Sequence, residues 1–182
     1  MNQIRLFLLA AATTVTIIEH SSAAAPAEFA GVPWGASPAT VRQVIGARPG
    51  VAFATETPEQ LTFTGGTFAD ESVSEWRFDF TSSKFRSATV ALAPKSGKDA
   101  KGFLNDQIEW RILKLLEQKY GKAKKVEDDN HREYNWTFTD PLHPTETKTI
   151  RLFHGWATSR RIEVNYSAVV STPAKPKPKN DL

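Results

Sequence analysis

The sequence predicts an α+β fold: a twisted antiparallel sheet of about seven strands, with one long helix packed across a face and a short N-terminal helix. Two observations favour this class. Segments in which apolar and polar residues alternate follow one another in consecutive groups, and they do not alternate with helices. The apolar spacing of an amphipathic helix occurs at only two places in the expected folded part. A parallel βαβ sheet is therefore not expected.

The short helix is predicted at residues 38–46. Ser37 is a good N-cap, because its hydroxyl can accept a hydrogen bond from a backbone N–H that has no partner within the helix. Pro38 suits the first helical position, where its missing N–H is not needed. Val41, Val44 and Ile45 share one face, and Gly46 is expected to close the helix.

The first group of strands is predicted between residues 51 and 92. Two short runs, 51–54 and 61–64, come first. The Gly65-Gly66 pair predicts a two-residue hairpin turn after the second run. The clearest alternation covers residues 73–80, and residues 85–92 are expected to return beside it as its antiparallel partner.

A long helix is predicted at residues 98–120, with Gly121 as the residue that ends it. Three strands are expected after it, at residues 134–138, 147–156 and 160–169, and the last two form a hairpin. The apolar side of the long helix is expected to hold Leu104, Ile108, Ile112, Leu113, Leu115, Leu116 and Tyr120.

Three regions are expected along the chain. Residues 1–25 have the layout of a secretory signal peptide: Arg5, an apolar run over 6–18 that is too short to span a bilayer, and a Ser/Ala-rich end. Residues 26–170 form a single α+β domain, and the Pro/Lys-rich residues 171–182 are expected to be disordered. The sequence therefore predicts a protein that is periplasmic or secreted and does not span the membrane.

Composition excludes several function classes. The chain has no cysteine, which rules out thiol catalysis, cysteine-ligated zinc and iron–sulfur clusters. The formal net charge is +3, but three lysines and one aspartate in the tail supply most of it. A folded part that is close to neutral offers no basic stripe for a nucleic acid. We expect no nucleic-acid partner and no cofactor.

One loop is a speculative metal site. Asp128 and Asp129 lie three and two residues before His131, so these three side chains could hold a cation. The alternative is a solvated polar loop, because oxygen-rich cation loops usually show a stronger alternation of carboxylates. The spacing H-E-x-x-H of helical zinc sites does not occur.

Two aromatic residues of the long helix are candidate binding residues. Phe103 and Trp110 are seven residues apart, which places them about 20° apart in projection and away from the main apolar stripe. They are expected either to bind a partner, together with Trp34, or to be covered by residues 29–34 of the same chain.

A second function class would use carboxylates. Asp79 and Glu163 both lie on polar faces of predicted strands. A glycoside hydrolase needs two carboxyl groups about 5–10 Å apart, and the alternative is that these two are exposed strand charges.

Two motifs indicate a resemblance. Residues 29–37, Phe-Ala-Gly-Val-Pro-Trp-Gly-Ala-Ser, match the pattern F-x-G-V-x-W-G-x-S, and residues 119–122, Lys-Tyr-Gly-Lys, precede a strand that contains Trp136. In these features the chain resembles a group of small exported bacterial α+β proteins. It is also loosely similar to β-lactamase-inhibitor-like and outer-membrane assembly lipoprotein modules, although it lacks a lipoprotein cysteine. The resemblance implies a protein-binding role and no catalytic residues.

We therefore expect an exported non-enzymatic domain that binds a protein or another envelope component, in the periplasm or outside the cell. Binding is expected through one sheet face or through the Phe103/Trp110 side of the long helix. The alternative is a small hydrolase of envelope polymers that uses Asp and Glu side chains.

Overall fold

The structure is a computed structural model, and it describes residues 24–93, 103–139, 145–156 and 161–170. All but the last two residues of the predicted signal peptide lie outside the described residues, and so does the predicted disordered tail. Both assignments stay predictions. None of the helices in the described ranges is long and apolar enough to cross a membrane.

The described ranges contain two helices, α1 (Pro38–Gly46) and α2 (Phe103–Tyr120). Before α1 lies a small hairpin of β1 (Glu28–Phe29) and β2 (Val32–Pro33). The remaining strands are β3 (Val51–Thr57), β4 (Gln60–Gly65), β5 (Thr67–Phe68), β6 (Glu71–Thr81), β7 (Lys84–Leu92), β8 (Lys124–Glu127), β9 (His131–Thr139), β10 (Glu146–Gly155) and β11 (Ile162–Val170).

These last nine strands form one open antiparallel sheet in the order β3-β4-β6-β7-β11-β10-β9-β8, with β5 paired to β6. The α+β class and the antiparallel sheet are confirmed, but the prediction of about seven strands is wrong. The sequence pattern does not predict the strand β8, because its four residues are all exposed and show no apolar alternation. The strand β5 is only two residues long.

The predicted hairpin at Gly65-Gly66 is also wrong, because β5 pairs with β6 and not with β4. The two glycines meet a different need. Both have positive φ, and a Cβ on Gly65 would collide with the carbonyl oxygen of Gly50. The close approach of the segment that leads into β3 therefore requires glycine here.

The sheet is built from two units with the same order of elements. Each unit is a helix followed by an antiparallel meander, first α1 with β3, β4, β6 and β7, then α2 with β8 to β11. The last strands of the two meanders, β7 and β11, pair at the centre of the sheet, where Thr89 faces Asn165. Each helix thus belongs to one half of the sheet.

The hydrophobic core lies between one face of the sheet and the helices. The strand register places one buried row across five strands, namely Phe63, Trp76, Val90, Val164 and Leu152. Buried residues of both helices and of the β1–β2 hairpin join the same cluster: Val41, Ile45, Ile108, Ile112, Leu116 and Phe29. The opposite face of the sheet carries polar residues, as period-two alternation requires.

The start of α1 and the end of α2 lie near their predicted positions. The Ser37 hydroxyl accepts from the backbone N–H of Thr40 at 3.3 Å, which confirms the N-cap of α1. Gly121 follows the last turn of α2 with φ of 78°. Residues 98–102 of the predicted long helix lie outside the described residues. The apolar side of α2 is narrower than predicted, because Leu115 is 48 % exposed.

Candidate functional site

A buried charged cluster lies where α2 crosses the ends of β9 and β10. Glu109 of α2 is only 2 % exposed and His154 of β10 only 4 %. Arg132 of β9 faces His154 directly across the two strands. His154 follows Ile150 and Leu152 at alternate positions of β10, so it points toward the helix like those core residues.

Glu109 is the shared acceptor of this cluster. One carboxylate oxygen, Oε2, is in close contact with Nδ1 of His154. The Nη1 group of Arg132 donates to both oxygens, at 3.0 Å to Oε1 and 3.2 Å to Oε2. Arg132 also donates through Nε to Glu127 of β8 at 2.9 Å. The guanidinium therefore joins the buried carboxylate of α2 to an exposed carboxylate at the sheet edge.

The indole ring of Trp156 packs against two members of the cluster, His154 and Arg132. Trp156 meets His154 edge to face, with ring centroids 5.6 Å apart and planes 86° apart. The Arg132 guanidinium lies 5.4 Å from the centre of the Trp156 ring. The indole N–H of Trp156 donates to the backbone carbonyl of Asp129 at 2.8 Å. Trp156 thus anchors the loop before β9 onto the end of β10.

The surroundings of the cluster shift the pKa values of Glu109 and of the neighbouring Tyr134. Burial alone would raise the pKa of the Glu109 carboxyl, but hydrogen bonds from His154 and Arg132 and the Arg132 charge outweigh burial, so this pKa lies below its ordinary value. Burial, reinforced by the Glu109 carboxylate, raises the pKa of Tyr134 to about 12. At neutral pH Glu109 is therefore an anion and Tyr134 a neutral phenol.

Metal-type ligands come together in this cluster. One ligand atom each from Asp106, Glu109 and His154 lie within 4.8 Å of one another, the only such group among the described residues. Asp106 stands one helical turn before Glu109 and is 54 % exposed, and its Oδ1 atom lies 3.7 Å from Nδ1 of His154.

The loop predicted as a metal site has a different arrangement. The Asp128 carboxylate accepts from the backbone N–H groups of Asn130 at 2.8 Å and His131 at 2.9 Å, and it lies 3.0 Å from the His131 ring. Asp129 contributes its backbone carbonyl to Trp156. The structure therefore uses Asp128 to close the turn before β9, and it does not gather Asp128, Asp129 and His131 into one ligand group.

Of the two candidate binding residues whose side chains the structure describes, Trp34 and Trp110, Trp110 is the exposed one. It is 59 % exposed and borders a surface hollow of about 560 Å³ together with Asp106, Gln107 and Arg111. The ammonium group of Lys114 lies 5.7 Å from the ring centre. Phe103 is the first residue of α2, and its side chain lies outside the described residues.

Trp34 is used in packing within the chain. Its ring stacks on Phe85 at 4.8 Å, and its indole N–H donates to the carbonyl of Pro26 at 2.8 Å. Phe29 contacts Tyr166 at 4.6 Å between ring centroids. The N-terminal hairpin therefore lies against the sheet, and the interpretation that it covers Trp110 is wrong.

The carboxylates considered for hydrolysis are not brought together. Asp79 accepts from Gln60 at 2.8 Å and from Ser87 at 2.7 Å, while Glu163 pairs with Arg161. The register places Asp79 level with Ser167, four residues beyond Glu163 and two strands away. Strand spacing and rise then separate the two carboxylates by roughly 16 Å.

The polar face of the sheet also has a hollow, of about 400 Å³. Its central side chains bond to one another: Thr89 donates to Asn165 at 2.7 Å, and the hydroxyls of Thr149 and Ser167 lie 2.6 Å apart. Among the described residues the Asn165 amide nitrogen is the one buried side-chain polar atom without a partner. This face therefore leaves few free hydrogen-bonding groups for a ligand.

Glu109, Arg132 and His154 were not singled out from the sequence, although two signals point to them. At 100° per residue Glu109 lies about 60° from Ile112, between the positions of Leu116 and Tyr120 on the buried side of the helix. The alternation of Tyr134, Trp136 and Phe138 extends back to Arg132, and that of Ile150 and Leu152 extends forward to His154. The sequence feature that identifies this cluster is therefore a charged residue at a core-facing position of a helix or strand.

Comparison of the chain with protein-family models, with curated proteins and with solved structures gave no match.

Proposed function

We propose that this protein is an exported, non-enzymatic binding domain, and that it binds a protein of the cell envelope on the outer side of α2. Trp110 is the anchor of this surface. The observation that supports the proposal is the 59 % exposure of its indole beside a hollow of about 560 Å³. Export rests on the predicted signal peptide at residues 1–25.

The chemistry of the hollow suits a protein partner. Tryptophan and arginine are the residues that most often contribute large binding energies at protein interfaces, where an apolar anchor is surrounded by polar groups. Here Trp110 is flanked by Asp106, Gln107 and Arg111, which offer a carboxylate, an amide and a guanidinium. Arg111 is already held by an ion pair with the buried Glu71 of β6. Its guanidinium therefore loses little freedom when a partner binds.

The helix under this surface is firmly seated. Ile108 and Ile112 are each 1 % exposed and pack into the core directly beneath the outer side. Glu109 adds the bonds to Arg132 and His154 that join α2 to two strands. A surface on such an element is preorganised, which lowers the entropic cost of association.

The polar face of the sheet is the less suitable surface. Its central hydroxyl and carboxylate groups are bonded to neighbours on the same face, as between Ser87 and Asp79. A partner would have to replace those bonds, and it would gain little apolar burial there. Trp110 offers apolar area with no such cost.

The proposal is tested by capture from the envelope fraction. The immobilised protein is compared with Trp110→Ala and with Leu115→Ala, a control that removes another exposed apolar side chain about 140° around the same helix. We expect wild type and Leu115→Ala to retain the same protein, and Trp110→Ala to lose about 30-fold or more in affinity. Equal retention by all three, or equal loss in both variants, contradicts the proposal.

A further inference from the structure

We propose that Asp106, Glu109 and His154 form a binding site for one divalent transition-metal ion of the zinc type. The site lies beneath the outer side of α2, and the proposal does not depend on the identity of the protein partner. Two observations support it. Three ligand atoms converge within 4.8 Å of one another, and the negative charges of the carboxylates around them exceed the positive charge available from basic groups.

The ligands come from two rigid elements. Asp106 and Glu109 are three residues apart on α2, so both carboxylates project from the same side of the helix. His154 faces them from the end of β10. Tetrahedral zinc with bonds of about 2.1 Å separates neighbouring ligand atoms by about 3.4 Å. The 3.7 Å between Asp106 Oδ1 and His154 Nδ1 already fits that spacing.

The third ligand needs one adjustment. The contact of Glu109 Oε2 with His154 Nδ1 is a hydrogen bond, so an ion bound between the two atoms displaces the hydrogen from Nδ1 and requires the atoms to move apart to about 3.4 Å. The proton then resides on Nε2 of the imidazole, so the ring stays neutral. Arg132 keeps its bond to the other oxygen, Oε1, at 3.0 Å and holds the carboxylate in place.

Charge favours a divalent cation. With a neutral imidazole, Asp106 and Glu109 carry two negative charges. The positive charge of Arg132 is shared between Glu109 and Glu127. Among the described residues, Asp106 has no basic group within 4.0 Å other than His154. An ion with two positive charges balances the two carboxylates, one of which is buried where an uncompensated charge is costly.

The surroundings resemble the outer shell of a metal centre. Metal-binding side chains are usually oriented by further hydrogen bonds and packing. Here Arg132 bonds to Glu109, and Trp156 packs on the His154 ring. Asp106 also borders the hollow beside Trp110, so an ion would have a path from solvent and room for a fourth ligand. One nitrogen and two carboxylate ligands favour zinc over calcium or magnesium, which prefer oxygen alone.

The test is zinc binding by the full chain, purified without a histidine tag and stripped with a chelator. Equilibrium dialysis with metal analysis gives the stoichiometry, and thermal unfolding gives an independent measure. We expect one zinc per chain, a higher melting temperature with zinc, and no response to calcium. Asp106→Asn and His154→Gln should each weaken binding about tenfold or more.

The matched control is Glu117→Gln, which removes a carboxylate about two turns further along α2 and should bind zinc like the wild type. Because Asp106 is 54 % exposed, its variant is expected to fold even if His154→Gln does not. Absence of stoichiometric zinc overturns the proposal. So does binding that survives Asp106→Asn or is abolished by Asp128→Asn. Capture of an envelope protein by the zinc-free chain is measured separately, so failure of one proposal is distinguishable from failure of the other.

Discussion

At the scale of single residues, Glu109 shows how one charged side chain can connect a helix to a sheet. Its carboxylate accepts from Arg132 of β9 and contacts His154 of β10, and both oxygens are used. A buried carboxylate needs such partners, because burial without them disfavours its charged form. The projection of the helix places Glu109 on the buried side, but the identity of its partners depends on strand pairing that no local pattern contains.

The first prediction concerns the pH dependence of this contribution. In the native state the pKa of Glu109 lies below its ordinary value, so protons bind the unfolded state more readily. The stabilisation from Glu109 is therefore fully present above about pH 4.3 and is lost as the pH falls through the native pKa. In chelator-treated protein, Glu109→Gln should lower the free energy of unfolding by about 3 kcal/mol at pH 7, with a smaller deficit at pH 3.5.

Urea unfolding at several pH values measures this difference. Glu117→Gln, a change of the same kind on the same helix, should stay within about 0.5 kcal/mol of the wild type throughout. A deficit for Glu109→Gln that is equally large at pH 7 and at pH 3.5 would show that the carboxylate charge is not the cause.

At the scale of secondary-structure elements, the sequence was most informative where one side of an element is buried. The alternation in β6 and the return strand β7 were predicted, and their pairing through Trp76 and Val90 is observed. Edge elements were harder. The strand β8 consists of four exposed residues and is defined by its bonds to β9, not by its own pattern. Leu115 lies at the margin of the apolar arc of α2. The pattern therefore places it on the buried side, but its side chain is exposed.

The second prediction concerns the turn after β4. Gly65→Ala should destabilise the fold by about 2 kcal/mol or more, because Gly65 has φ of 76° and an added Cβ meets the carbonyl of Gly50. Gly46→Ala is the matched control. Gly46 closes α1 without positive φ and has open space around it, so alanine should be neutral or stabilising by up to about 1 kcal/mol.

Thermal and urea unfolding of the two alanine variants give the comparison. If Gly65→Ala is as stable as Gly46→Ala, the close approach between the segment before β3 and the end of β4 does not constrain the backbone as described.

At the scale of the whole molecule, two helix-and-meander units share one sheet, and their last strands β7 and β11 pair at its centre. The sequence predicted the α+β class, because consecutive strands with short turns favour antiparallel neighbours. It could not predict that strands about 75 positions apart pair, as Thr89 and Asn165 do. Such pairing is decided by the packing of both helices on one face, and the charged cluster under α2 is a consequence of the same packing.

The proposed binding surface on the outer side of α2 is tested most directly by photo-cross-linking in intact cells that produce the protein. A photoreactive amino acid replaces Trp110 in one variant and Leu115, on another side of the same helix, in a second. We expect a discrete adduct with one envelope protein from position 110 and none from position 115. No adduct at position 110, or the same adduct at both positions, contradicts a binding surface centred on Trp110.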